Sequence, residues 1–182
     1  MTSYNFLMNI LSTKTVFTSQ YFHVNQVTIK REGKTFTKDI IEGTPIVFVI
    51  PYTKDGEIYI NSEYRDALGK EIFDCVGGKL VSGEDPLTAA KRELQEEAGL
   101  NAATWKQIAT WETAAIQRKK LFVFCATDLE KGKQQLDADE KITVVKLKLS
   151  EALEKIENGE IPVGLDVAAI LLFDKLRREG NL

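Results

Sequence analysis

Several residue types are scarce in this sequence, and each scarcity closes a route. There is one histidine, His23, and there are two cysteines, Cys75 and Cys125, in 182 residues. Three such ligands cannot build a zinc site on their own. Both cysteines sit inside apolar, strand-like runs, which reads as buried free thiols rather than a disulfide framework. His23 stands in a polar, strand-like context and reads as structural or exposed. No long basic run occurs and the formal net charge is −3, so non-specific contact with nucleic-acid phosphates is not the expected task. No stretch approaches the ~18 apolar residues of a membrane span. The opening MTSYNFLMNILSTK has a short apolar run interrupted by Asn9 and no basic leader, so it reads as neither signal peptide nor span. The expectation is a soluble, cytoplasmic protein with no membrane and no nucleic-acid partner.

What is present is a real core: 43% of residues are apolar, which suits one compact domain with a small extension. Residues 15–42 alternate in strand fashion, with a hairpin turn expected between Arg31 and Lys34. Gly43-Thr44-Pro45 breaks the pattern and divides an N-terminal strand unit, 1–43, from a main domain, 44–182. Beyond it, Ile46 to Tyr52 reads as a buried strand and EIYINSEYR and EIFDCV as two more. Lys79 to Val81 is a possible short strand. Strands are also expected in 103–113, LFVFCAT and ITVVKL, a polar loop in 130–140, and helices over 150–157 and 166–178. Strands and helices mix without regular alternation, which predicts an α+β fold around a mixed sheet.

The most informative stretch is Gly78 to Leu100. Asp85 is placed to cap a helix, Pro86 to begin it and Gly99 to end it. Along that helix Glu93, Glu96 and Glu97 fall on one face, and Leu87, Ala90, Leu94 and Ala98 on the opposite side. Like charges at i,i+4 cost a helix roughly 0.2–0.5 kcal/mol. A hard cation such as Mg²⁺ or Mn²⁺ would remove that cost.

Gly78, Glu84, Arg92, Glu93, Leu94, Glu96, Glu97, Gly99 and Leu100 occupy every specified position of the Nudix box, so the sequence resembles the Nudix hydrolases. Flanking features, Tyr64-Arg65, the acidic loop Asp137 to Ile142 and Gly159-Glu160-Ile161, resemble the branch that contains ADP-ribose pyrophosphatases and nucleotide-sugar hydrolases. The resemblance implies a mixed sheet sandwiched between helices, an N-terminal strand unit that helps to form a homodimer, and a Mg²⁺-dependent pyrophosphohydrolase. Its substrate would be a small-molecule nucleotide, a nucleoside diphosphate linked to a second moiety. It also implies that Glu93, Glu97 and the Gly77 carbonyl hold metal. Glu96 and Glu140 are then the catalytic candidates, with Asp137 or Asp139 as alternatives to Glu140. One departure stands out. The branch carries Ser-Pro-Gly and then an acid after the box, where this chain has Thr113-Ala114-Ala115 and Lys119.

Other residues leave two readings open. Arg65 is either a bidentate clamp on substrate phosphate or one half of a surface ion pair. Glu84 and Arg92 read first as architecture, a charge pair holding the loop on the helix. Arg118-Lys119-Lys120 either neutralises phosphate or is a solvated loop. Tyr21, Phe22, Trp105 and Trp111 either stack on a base or belong to the core. Within the superfamily the alternatives are hydrolysis of nucleoside triphosphates or RNA caps, and a nucleotide sensor without turnover. The sensor reading fits poorly with an undiminished carboxylate set.

Overall fold

The computed structural model describes residues 9–113, 115–138 and 140–182. Ala114 and Asp139, both named above, lie outside the described residues, as does 1–8 of the opening segment. The chain forms two compact units. The smaller comprises the described part of Met1–Pro45 with Trp111–Lys120; the larger comprises Ile46–Thr110 and Leu121–Leu182.

In the smaller unit, β1 (Asn9–Thr18), β2 (Phe22–Arg31) and β3 (Lys34–Gly43) form an antiparallel meander. The β2–β3 turn is the expected one: Arg31 pairs with Lys34, and Glu32 and Gly33 both take positive φ. That geometry matches the right-handed twist of the flanking strands. Alternation in 15–31 predicts one continuous strand, but the chain breaks at Ser19. The Ser19 hydroxyl accepts from the Tyr21 and Phe22 amides, both at 3.1 Å, and turns the backbone back on itself. Every residue of β1 is exposed, including Ile10, Leu11, Val16 and Phe17.

The larger unit carries the core. It holds β4 (Ile46–Pro51), β5 (Glu57–Arg65), β6 (Lys70–Asp74), β10 (Ile142–Lys148) and most of β7 (Leu100–Glu112) and β9 (Lys120–Lys131). The two-residue β8 (Gln117–Arg118) belongs to the smaller unit, where it pairs in parallel with β3. Two three-stranded sheets result, ordered β4-β9-β7 and β10-β5-β6. Buried β4 runs parallel to β9, as continuous apolar runs tend to do. Helix α1 (Pro86–Ala98) packs on β4, and so does α3 (Gly164–Arg178), which also meets α2 (Leu149–Glu157). Val47 and Val49 join α1's Ala89, Ala90 and Leu94 in one buried cluster. Alternation along a strand turns the intervening β4 residues to the other face. The result is the mixed-sheet, helix-flanked architecture expected from the sequence. Cys75 and Cys125 are free and buried, and Lys79 contributes only a single bridge to Ile46 rather than a strand.

The α1 termini are built as their residues dictate. Asp85 accepts from the Leu87 and Thr88 amides at 3.2 and 2.9 Å, and Pro86 opens the first turn. Gly99 takes the left-handed conformation, φ 61°, and its amide returns to the Gln95 carbonyl. A Cβ there would lie 2.9 Å from the Gln134 amide nitrogen. Replacing Asp85 by Ala removes the cap and should lower Tm by about 2–4 °C in a chain of this size, measured by calorimetry.

Candidate active site

The acidic face of α1 is not a solvated one. Glu93 and Glu97 are only 7% and 5% exposed, whereas the Glu96 side chain keeps 38% of its surface. Burying ionised carboxylates is costly unless donors or cations compensate. Arg92 supplies much of that compensation. Its Nε and Nη2 hold the two oxygens of Glu84, each at 3.0 Å. Nη1 reaches Glu93 and Glu96, both at 2.8 Å, and Nη2 also bonds the Lys79 carbonyl. The pair expected to be architectural therefore ties the loop to the helix, and the Arg92 hydrogen bonds draw the Glu84 carboxyl below its usual range. Burial raises Glu93, against the pull of Arg92.

Glu97 is held differently. Its Oε2 accepts from the Gly77 amide at 2.7 Å and from Asn61 Nδ2 at 2.9 Å. Burial nevertheless lifts its carboxyl to about 8, with the charges of Glu93 and Glu140 adding to the effect. The Gly77-Gly78 turn makes this approach possible. A Cβ on Gly77 would meet the Val47 carbonyl oxygen at 2.1 Å, and one on Gly78 would meet Glu93 Oε1 at 2.5 Å.

Strand β5 presents Asn61, Glu63 and Arg65 on one face, since side chains two apart share a side. Arg65 Nε and Nη2 bond Asp74 Oδ2 at 2.9 and 2.6 Å, and Nη2 also meets Glu63 Oε1 at 2.7 Å. Arg65 thus has two acidic partners of its own, yet it lines the same cleft as the glutamates. Glu63 is lifted to about 7, first by burial and then by the adjacent Asp74. Asn61, Glu63 and Asp74 were not singled out from the sequence. The period-2 pattern of EIYINSEYR carried the signal for the first two. Asp166 was missed as well: from the first turn of α3 its Oδ1 accepts the Cys75 amide at 2.8 Å, fixing the chain just before Gly77.

The loop after β9 is strapped to the end of α1. Gln135 N donates to the Glu96 carbonyl at 2.8 Å, Gln134 Nε2 to that of Glu97 at 2.6 Å, and Gly132 N to that of Gly99 at 2.7 Å. These bonds satisfy carbonyls that a helix leaves open and carry Glu140 to the cleft. There Glu140 is folded back, one carboxylate oxygen accepting the Asp137 amide at 3.0 Å. The cleft of about 340 Å³ is lined by Glu63, Arg65, Gly77, Glu93, Glu96, Glu97 and Glu140, among others. It therefore brings together Arg65, Gly77, Glu93, Glu96, Glu97 and Glu140, with Asp137 beside them. A more apolar cavity of about 380 Å³ beside Tyr52, Lys106 and Cys125 has no pair of glutamates facing it.

Arg118 pairs with Glu42 at 2.8 Å and Lys120 with Glu112 at 3.9 Å. Trp105 stacks edge-on against buried Phe124. Tyr21 and Phe22 are exposed rather than part of the core, and His23 is exposed as expected.

The donor set suits a hard divalent cation: desolvated carboxylates and a turn stripped of Cβ atoms. Among the described residues no three acidic, histidine or cysteine side chains already converge as a metal cluster, with Arg92 bonded to Glu93 and Glu96 at once. The raised groups set a pH dependence. With folded values of about 8 for Glu97 and about 7 for Glu63, the folded chain binds more protons than the unfolded one. The associated stability is fully present below the unfolded carboxylate value and is lost as pH rises through the folded values. In EDTA, Tm should fall by on the order of 5–10 °C between pH 5 and 8.5. Mg²⁺ should restore Tm more at pH 8.5 than at pH 5, as read by a dye-based melt.

Comparison with known proteins agrees with this geometry. Residues 44–164 match the NUDIX domain model. The chain is 30% identical to an ADP-ribose pyrophosphatase of Bacillus subtilis, covering 85% of this chain and 88% of that protein. It is 29% identical to a methanol dehydrogenase activator of Bacillus methanolicus, covering 88% and 92%. Identity to an ADP-ribose pyrophosphatase of Mycobacterium tuberculosis is 28%, covering 88% and 80%. The solved structure of an ADP compounds hydrolase shares the fold, with a TM-score of 0.83 over 96% of this chain and 97% of that one at 23% identity. The pattern read along Gly78 to Leu100 and the match across two thirds of the chain lead to one assignment: this chain belongs to the NUDIX domain family and is a Nudix hydrolase.

Proposed function

We propose that the protein is a Mg²⁺-dependent pyrophosphohydrolase that cleaves a nucleoside diphosphate linked to a moiety X, such as ADP-ribose or a nucleotide sugar. The products are a nucleoside monophosphate and X-phosphate. The observation that carries this reading is the burial of Glu93 and Glu97 together beneath the cleft, with the Gly77 amide fixed on Glu97. The names of two relatives support the substrate class. Glu93, Glu97 and the Gly77 carbonyl would hold Mg²⁺, with Mn²⁺ as a substitute. When bound, the ion supplies Lewis-acid charge to the phosphates and to the attacking water.

The chain's own residues do the rest. Arg92 balances the glutamates and keeps Glu96 at the cleft edge. Arg65, held by Asp74 and Glu63, presents its guanidinium to a substrate phosphate. Glu140 leaves the Asp137 amide and accepts a proton from water, help typically worth about 10²–10⁴ in rate. The segment 1–43 is a dimerisation element, consistent with the exposed apolar residues of β1, and the protein works in the cytoplasm as a homodimer.

Turnover of ADP-ribose, nucleotide sugars and dinucleotides with Mg²⁺, products identified by mass, tests the reaction. Glu97→Gln should lower kcat by at least about 10²; near-normal turnover in that variant refutes the assignment. Release of pyrophosphate from nucleoside triphosphates alone would favour the rival reaction instead. For the dimer, Phe17→Asp should shift the sedimentation profile to monomer, and an unchanged profile removes β1 from the interface.

A further inference from the structure

Among the described residues, two buried side-chain oxygens have no hydrogen-bond partner: Asn61 Oδ1 and Asp74 Oδ1. Their residues are 1% and 2% exposed, and a buried acceptor without a donor is costly. Asn61 and Asp74 are register partners across β5 and β6. Directly opposed residues share a sheet face, with Cβ atoms about 4.5–5.5 Å apart. The remaining polar atoms of both side chains are already spoken for. Asp74 Oδ2 accepts from Arg65, and Asn61 Nδ2 donates to Glu97 Oε2, which also accepts the Gly77 amide. One run of bonds therefore ends at Asp74 and the other at Asn61, at directly opposed positions of neighbouring strands.

One donor placed between them would satisfy both atoms at once. It is either a proton on Asp74 aimed at Asn61 or one ordered water bonded to both. Donation from Glu63, which also lies against Asp74, would serve Asp74 and leave Asn61 bare. We propose that Asn61 and Asp74 share one donor between their Oδ1 atoms, making them positioning residues that hold Glu97 and Arg65 in a fixed relation. Neither touches the reacting atoms. Both act through the groups they hold, so the inference rests on Glu97 as a metal ligand and Arg65 as a substrate clamp.

The test measures Mn²⁺ affinity of the full chain by electron paramagnetic resonance, alongside KM and kcat. Asn61→Leu should weaken Mn²⁺ binding about 10–100-fold, as loss of a ligand's hydrogen-bond partner does. Asp74→Leu, at a residue bonded to Arg65, should also weaken it, by about 10-fold. Asp74→Asn carries its own donor for Asn61 and keeps an acceptor for Arg65. Its Mn²⁺ affinity should stay within about threefold of the parent, while the lost charge beside Arg65 shows in KM. An unchanged affinity in Asp74→Leu, or equal losses in Asp74→Asn and Asp74→Leu, overturns the proposal. Should the leucine variants fail to fold, a crystal structure of the parent protein decides. One water between the two oxygens, or an O–O contact of about 2.5–3.0 Å, supports the link. Separate waters, or a Glu63 carboxyl on Asp74 Oδ1, overturns it. Parent protein that neither binds Mn²⁺ nor hydrolyses the substrate panel sinks the functional reading instead, and the crystal structure still decides the shared donor.

Discussion

The structure depends on keeping two glutamates out of water. A buried carboxylate is tolerated only where its charge is answered, by donors, by cations or by a proton. Around Glu93 and Glu97 all three answers occur. Arg92 stands against Glu93, the Gly77 amide and Asn61 stand against Glu97, and burial raises both groups toward the protonated state. The glycine turn, the side of α1 that faces β4 and β5, and the Asn61 position all follow from that requirement. A divalent cation is the remaining answer, and the one that would make the site reactive.

Much of this was legible in the sequence because it is local. The caps of α1, the spacing of its acids and the Glu84–Arg92 pair all lie within Gly78 to Leu100, where helical periodicity alone fixes which side chains meet. The apolar run of β4 announced its burial in the same way. The hairpin at Glu32-Gly33 followed from turn chemistry. The reading failed where a short polar residue overrode a pattern: Ser19 ends a strand that alternation would continue. It also missed how deeply the acids are buried, because a helix face says nothing about the wall opposite.

That wall comes from residues far away in sequence. Asn61 meets Glu97 across thirty-six positions and Asp166 meets Cys75 across ninety-one. No local rule links them, since sheet register and helix docking bring them together. Gln134 and Gln135 are similar: in sequence they look like loop polarity, and in the fold they tie the Glu140 loop to the last carbonyls of α1. Residues that hold the site are thus less visible than residues that form it.

Arg92 has a consequence for the life of such a protein. Nε, Nη1 and Nη2 are all engaged, by three carboxylates and the Lys79 carbonyl, and the guanidinium is a cation that cannot diffuse away. A site that keeps a tethered counter-ion carries part of its own neutralisation at all times. The fold therefore answers these charges from within the chain, where a site built of acids alone would need an ion from solution to do so.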